Sequence, residues 1–524
     1  MIEYFSLFLA SILAIIFLIM LANKIKVAYP ILLVLAGLLI SFLPGTPVIR
    51  IEPELIFIIF LPPLLYEAAW AISWKELWKW RRIICSFAFV VVFLTALSVA
   101  FVANAFIPGF SFALGLLLGG IVSPPDAVST GAILKFVKIP KRITSILEGE
   151  SLLNDASALI IFRFTLIAVA TGQFVWYSAA LSFAWMLIGG IGIGLLIGLL
   201  FMKLHRLLPT DTRMDVVLTI VTPYLMYIAA EEVHSSGVLA VVSGGLYLSN
   251  RRLYFLNSAS RLAGLNIWEG LIFVMNGLVF LLIGLELPEI TSGINNMSIY
   301  AAVGYGLLIS IVLILGRILT AFGAVLVTLV MRNFITVADS SNPGIKGPFI
   351  LAWAGMRGVV SLAAALSIPV YLQDGSEFPQ RNLILMITFV VILSTLLLQG
   401  LTLPYLIKKL KLPDFDDYIT EEEADKFIRK ELAKHSLQYV NDFHSEHLKT
   451  QGFLQHAASK WNSHIIETGQ LSMSAEQKAI YFKVLEQQRQ WLIAHNKNEK
   501  RIDEEVIRKY LLQIDIEEEH LKHL

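Results

Sequence analysis

Apolar runs long enough to cross a bilayer recur from Phe5 to Leu410, and short polar connections separate them. From Lys411 the pattern changes to apolar residues at helical spacing with charges on the other face, as in EEEADKFIRKELAKHSLQYVNDFH and AEQKAIYFKVLEQQRQWLIAHN. Thirteen spans fit the apolar pattern: about 4–23, 29–43, 54–73, 83–107, 111–137, 143–170, 178–202, 214–232, 235–250, 266–287, 298–331, 348–370 and 383–407. This predicts an all-α polytopic membrane protein, with a transmembrane domain over 1–410 and a cytoplasmic helical domain over 411–524. Two spans are interrupted. The fifth is broken at Pro124-Pro125 after Gly119-Gly120, and the twelfth at Gly355-Met356-Arg357-Gly358. They lie seven spans apart and so cross in opposite directions. Paired broken spans of this kind mark inverted-repeat transporters, with the binding site where the breaks meet. Spans one to six and eight to thirteen are the expected repeats, and 178–202 the linker helix.

Loop charge orients these spans. The odd-numbered connections hold Lys24 and Lys26; Lys75, Lys79, Arg81 and Arg82; Lys135, Lys138, Lys141 and Arg142; Lys203, Arg206 and Arg213; Arg251, Arg252 and Arg261; and Arg332 and Lys346. Lys408, Lys409 and Lys411 follow the last span, whereas the even-numbered connections hold only Arg50 and Arg381. The positive-inside rule converts this into an outside N-terminus and a cytoplasmic C-terminus in the plasma (inner) membrane. Composition agrees: 56% of residues are hydrophobic, only 15% are charged, and the mean hydropathy is +0.72. A soluble protein of this size needs far more charge to cover its surface. The lipid bilayer is therefore the expected partner, and nothing in the charge pattern calls for nucleic acid. The first apolar run lacks a basic leader and a small-residue cleavage site before Asn23-Lys24, so it reads as a retained helix. The one cysteine, Cys85, excludes an intramolecular disulfide and reads as a packing residue. There is no P-loop, no HExxH and no Rossmann glycine run, so neither an enzyme nor a bound cofactor is expected. Energy would come from an ion gradient. The tail holds eight of the ten histidines, His435, His444, His447 and His456 among them, and these read as solvated surface residues.

Four carboxylates stand out because each costs at least ~2.5–3.5 kcal/mol near the bilayer centre. Asp126, Glu148, Glu150 and Asp155 all fall in the helical hairpin formed by spans five and six. Asp155 lies 13 residues beyond Arg142, about 20 Å along a helix, which puts it near mid-membrane. Ser151 is one turn before Asp155 on the same face, Glu148 continues that stripe, and Glu150 with Asn154 forms the neighbouring one. Carboxylate, hydroxyl and amide oxygens on adjacent faces are hard ligands that suit a small, poorly polarisable cation. Pro124 and Pro125 lack N–H groups, so the carbonyls of Gly120 and Ile121 lose their helical donors. Free carbonyls at this depth line a cavity or coordinate an ion, and Asp126 sits beside them. The competing explanation is a polar seam that joins helices. Arg317 and Arg357 are buried cations that need carboxylate partners, and Glu150 is the natural partner for one of them. Arg163 and Glu269 are candidates for the same networks. Glu67 either lines an ion path or faces a subunit interface, and Glu286, at the outer end of its span, is expected to snorkel to water.

Five segments, LPPLLYEAAW, SPPDAV, EGESLLNDA, the arginine of LILGRIL and WAGMRGVVSLAAALS, occur in the order and at the spacing of the monovalent cation:proton antiporters. The chain resembles their NhaP- and NHE-type sodium/proton exchangers across about residues 1–410. The resemblance implies an elevator-type exchanger, usually a homodimer, with a core from about 83–170 and 298–407 and a scaffold from about 1–73 and 214–287. It implies that Asp155 is the shared cation and proton carrier, with Asp126, Ser151 and the backbone at Pro125 as co-ligands for Na+ or K+ and Glu150 paired with Arg317. Asn154 stands where electrogenic relatives have a second aspartate, which implies electroneutral exchange. One departure is plain: the family commonly has Thr-Asp-Pro at the break, and this chain has Pro125-Asp126-Ala127. The motifs do not cover the tail, whose expected partners are itself, the membrane domain or a regulator. Two other functions use the same residues: a cation channel, and a secondary transporter of an organic anion with Arg357 as counter-charge.

Overall fold

A computed structural model describes residues 2–42, 57–172, 176–292, 298–331, 344–372, 375–412 and 430–442, with short pieces between 458 and 518. Arg50, Arg332, His444, His447 and His456 lie outside the described residues. Two compact units divide between Asp416 and Asp417. In the first, helices fall on each stretch where the apolar pattern predicts a span: α1 (Ile2–Ile25), α2 (Tyr29–Ser41), α3 (Leu61–Ala71), α4 (Trp74–Cys85) and α5 (Val92–Phe106). They continue with α6 (Phe112–Val122), α7 (Ala127–Leu134), α8 (Lys141–Thr171), α9 (Trp176–Leu207), α10 (Thr212–Glu232) and α11 (Gly237–Phe255). The rest are α12 (Ser258–Leu285), α13 (Leu287–Ser292), α14 (Ile299–Met331), α15 (Lys346–Trp353), α16 (Val359–Leu366) and α17 (Arg381–Leu410). Among the described residues, eight helices are long and apolar enough to cross a membrane unaided, and Tyr29–Ser41, Phe57–Ala71 and Phe112–Val122 are shorter apolar helices. No strand is present among them, only an antiparallel bridge between Tyr371 and Glu377. The described part of the second unit is also helical, including 430–442.

Local chemistry sets the boundaries. Side chains of Ser73, Ser111, Asp211, Ser236 and Asn257 accept backbone N–H groups at the starts of α4, α6, α10, α11 and α12. Gly172, in the left-handed region at φ 69°, ends α8. The basic stretch Lys75–Arg82, expected as a connection, is helical instead. Ser73 caps it, nothing in it breaks a helix, and it runs into α5 through a π-helical turn at Ser86–Val91. Cys85, expected to pack inside, is exposed. Glu286, expected to snorkel, is 7% exposed at the end of α12, where the chain turns directly into α13 and the Ile290 N–H donates to the Glu286 carbonyl. Around the broken helices pack α5, α8, α14 and α17, while α2 lies along α12 and α9 along α11.

Candidate functional site: crossed helix breaks over buried carboxylates

The two breaks meet. Pro124-Pro125 ends α6 and Asp126 starts α7, and the Asp126 N–H donates to the Met356 carbonyl in the second break, 2.7 Å away. Thr130 Oγ1 lies 2.9 Å from both the Asp126 and the Ala354 carbonyls and so ties α7 to the end of α15. The Asp126 carboxylate caps its own helix: Oδ1 accepts the Val128 N–H and Oδ2 the Ser129 N–H, each at 3.1 Å, and the Ser129 hydroxyl also donates to Oδ2. A Cβ on Gly358 would lie 2.3 Å from Asp126 Oδ2, so the start of α16 backs directly onto this carboxylate. Asp126 thus sits between the positive ends of two half-helices, a favourable place for an anion.

Arg357 occupies the opposite pole. Its Nε donates to the Val122 carbonyl at 2.8 Å and its Nη2 to the Ser123 carbonyl at 3.4 Å, while its Nη1 bonds the Gly355 carbonyl. Among the described residues no carboxylate forms an ion pair with Arg357, although Glu150 lies within its electrostatic reach. The carbonyls released by the break, with the negative end of the α6 dipole, satisfy the buried guanidinium in its place. Its backbone N–H donates to Thr395 Oγ1 at 3.2 Å, which fixes the break to α17. Arg317 behaves as expected. Its Nη1 and Nη2 lie 2.7 Å from Glu150 Oε1 and Oε2, a forked ion pair with both side chains 2% exposed or less. Gly355 accommodates this pair, because a Cβ there would fall 2.3 Å from Arg317 Nε.

The hairpin helix α8 closes the site. Asn154 Nδ2 donates to the Pro125 carbonyl at 3.0 Å, and Ser151 Oγ approaches the same oxygen at 3.5 Å. One turn of α8 thereby holds the first break. Ser157 donates to the Ala88 carbonyl at 2.5 Å, which pins α8 to the π-helical turn; such turns recur at functional sites. Asp155 is 8% exposed and lies within electrostatic reach of Asp126. Among the described residues no hydrogen bond or ion pair engages its carboxylate. That separates it from Glu150, which is ion-paired, and from Asp126, which is committed to a cap.

Glu67, on α3, lies within electrostatic reach of Glu148, Glu269 and Lys135, and Tyr29 within that of both Glu67 and Asp126. Glu67, Glu148 and Glu269 thus gather near Lys135 at the end of α7. Arg163 belongs to a different network: it pairs with Glu231, whose Oε1 accepts the Gly237 N–H at 3.1 Å. Nothing in the sequence pattern marked out Thr395 or Glu231, and Ser129 and Thr130 join the site only in the structure. Ser129 and Thr130 carried a usable signal, since hydroxyls in the first turn after an N-capping aspartate return to the cap. They bring hydroxyls to Asp126 that the absent threonine of the usual break does not.

A multi-pass helical protein with crossed broken helices over buried carboxylates falls in the class of ion-translocating membrane proteins. The family model described as "Sodium/hydrogen exchanger, transmembrane" matches residues 10–409, and the chain belongs to this family. It is 34% identical over 395 residues to the sodium, potassium, lithium and rubidium/H(+) antiporter of Bacillus pumilus, covering 72% of this chain and 58% of that protein. It is 35% identical over 390 residues to the Na(+)/H(+) antiporter ApNhaP of Aphanothece halophytica, covering 74% of this chain and 70% of that protein. The chain thus spans less than two thirds of the Bacillus relative's length. In fold it is similar to the sodium proton antiporter MjNhaP1 of Methanocaldococcus jannaschii, with a TM-score of 0.61, 18% identity, and 78% of this chain and 99% of that chain covered.

Proposed function

We propose that this protein exchanges a monovalent cation for H+ across the plasma membrane by alternating access, with Asp155 as the shared carrier. One observation carries the reading: a buried carboxylate at the crossing of two broken helices, beside Asp126, has no partner of its own among the described residues. Such a group binds a proton or a cation and not both, so successive exposure to the two sides swaps one for the other. Ser151, Asp126 and the Pro125 carbonyl are the co-ligands. The carbonyl has two lone pairs; the Asn154 amide takes one, and the Ser151 hydroxyl, 3.5 Å away, would rotate to yield the other to a cation. Na+ is the first candidate and K+ the second, in keeping with the names of the similar antiporters from Aphanothece and Bacillus. Asn154 contributes no charge, which favours one cation per proton and electroneutral exchange. The Glu150–Arg317 pair and Arg357 hold the crossing rigid, and Glu67 belongs to the cytoplasmic approach. A homodimer, an elevator movement of the core and a regulatory tail complete the proposal.

Everted membrane vesicles carrying a pH-sensitive dye test it. Na+, K+ and Li+ are added in turn across a range of pH, and recovery of fluorescence by at least one cation, without dependence on membrane potential, is the expected result. No response to any of them overturns exchange, and a current that follows the potential identifies a channel.

A further inference from the structure

The start of α4 carries groups that exchange does not use. WKELWKWRR places Lys75, Lys79, Arg81 and Arg82 against a single acid, Glu76, together with three tryptophans. Trp80 is 1% exposed, with the Lys79 ammonium 5.0 Å and the Arg142 guanidinium 4.7 Å from its ring centroid, and its Nε1 donates to Glu76. Trp74 and Trp78 point outward, 43% and 58% exposed, and stack with centroids 6.0 Å apart and planes at 17°. The Arg81 guanidinium lies 4.6 Å from the Trp78 ring centroid, and Lys75 and Arg81 are both exposed. Trp74, Trp78 and Arg81 follow i, i+4, i+7 spacing and therefore share one helix face.

Length decides where this face lies. The continuous helix Trp74–Phe106 has 33 residues, about 50 Å, whereas the hydrocarbon core is about 30 Å thick. With its apolar part in the core, the turns from Trp74 to Arg82 emerge among the headgroups. Rings there prefer the interface, and the cations face lipid phosphate.

We propose that Trp74, Lys75, Trp78 and Arg81 form a binding site for the phosphate headgroup of an anionic lipid. The stacked indoles would fix the depth of the headgroup, and the two cations would take its charge. Arg142, at the foot of α8, shares Trp80 with this helix, and Ile84 packs on Gly149 of α8. The lipid site is thus built against the helix that carries Asp155. The proposal rests on the membrane placement above but not on exchange, and its test needs no ion gradient.

Native mass spectrometry of the purified full-length protein, titrated separately with phosphatidylglycerol and phosphatidylcholine, reads out retained lipid. Phosphatidylglycerol should be retained preferentially. Each cation near an anionic headgroup is worth about fivefold, so Lys75→Gln/Arg81→Gln should weaken its retention roughly 25-fold. Trp74→Ala/Trp78→Ala should weaken retention of both lipids. Lys203→Gln/Arg206→Gln, the same charge change at another helix end, should leave phosphatidylglycerol retention unchanged. Wild-type retention by the Lys75/Arg81 variant, or an equal loss in the Lys203/Arg206 control, overturns the site. Displacement by inorganic phosphate at matched concentration overturns the assignment to a lipid.

Discussion

Gly358 leaves room for one atom group, the Asp126 carboxylate, and Gly355 leaves room for the Arg317 guanidinium. In Gly358→Ala the new methyl would meet Asp126 Oδ2 at 2.3 Å, and neither the capped carboxylate nor the start of α16 can yield freely. We expect a destabilisation of about 1–3 kcal/mol by thermal unfolding, the usual cost of overpacking, and a loss of exchange that exceeds it in effect. An alanine variant with wild-type melting and exchange would contradict the close approach. The Glu150–Arg317 pair gives a second prediction. Glu150→Ala strands a buried guanidinium and should cost about 3–5 kcal/mol, whereas Glu150→Met/Arg317→Met should recover most of that loss. A single variant as stable as the wild type would show the pair is not buried as described. The carboxylates and Arg317 were legible in the sequence because charge inside an apolar run is conspicuous. The partners of Arg357 were not, since backbone carbonyls carry no sequence signature. Arg163 was equally opaque, because Glu231 stands at a helix end where a carboxylate attracts no notice.

The breaks themselves were readable because proline and glycine punctuate a helix wherever it lies. Their contact was readable only as an expectation from paired positions, and the hydrogen bond from Asp126 to Met356 now supplies it. What holds the crossing is a balance of half-helix dipoles: Asp126 at two positive ends and Arg357 at a negative end. Arg357→Lys separates charge from shape. Lysine keeps the positive charge but is a single point donor, so it cannot span the Val122, Ser123 and Gly355 carbonyls. The Lys variant should lose at least about tenfold in exchange rate, since a binding geometry set by fixed groups tolerates little displacement. If lysine supports full exchange, charge alone suffices and the fork is irrelevant. The π-helical turn at Ser86–Val91 escaped the sequence altogether, because no residue in SFAFVV demands it. The helical rather than looped course of Lys75–Arg82 was also missed, since a high charge density resembles a connection whether or not its backbone is capped.

The apolar pattern outlined the described helices of the first unit, because burial in lipid and burial in protein both require it. Sidedness rests on the alternation of basic connections, and it makes a direct prediction. In a Cys85→Ser background, a cysteine at Lys138 should react with a membrane-impermeant maleimide only in permeabilised cells, and a cysteine at Arg381 should react in intact ones. The reverse pattern would invert the topology. Whether Asp155 is the shared carrier of cation and proton is decided by exchange in proteoliposomes that contain Asp155→Asn and a trapped pH-sensitive dye. The variant keeps the size and burial of the side chain but cannot alternate between a proton and a cation. Cation-driven proton movement should vanish while the protein still folds and melts cooperatively. Cation-driven proton movement at the wild-type rate would contradict it.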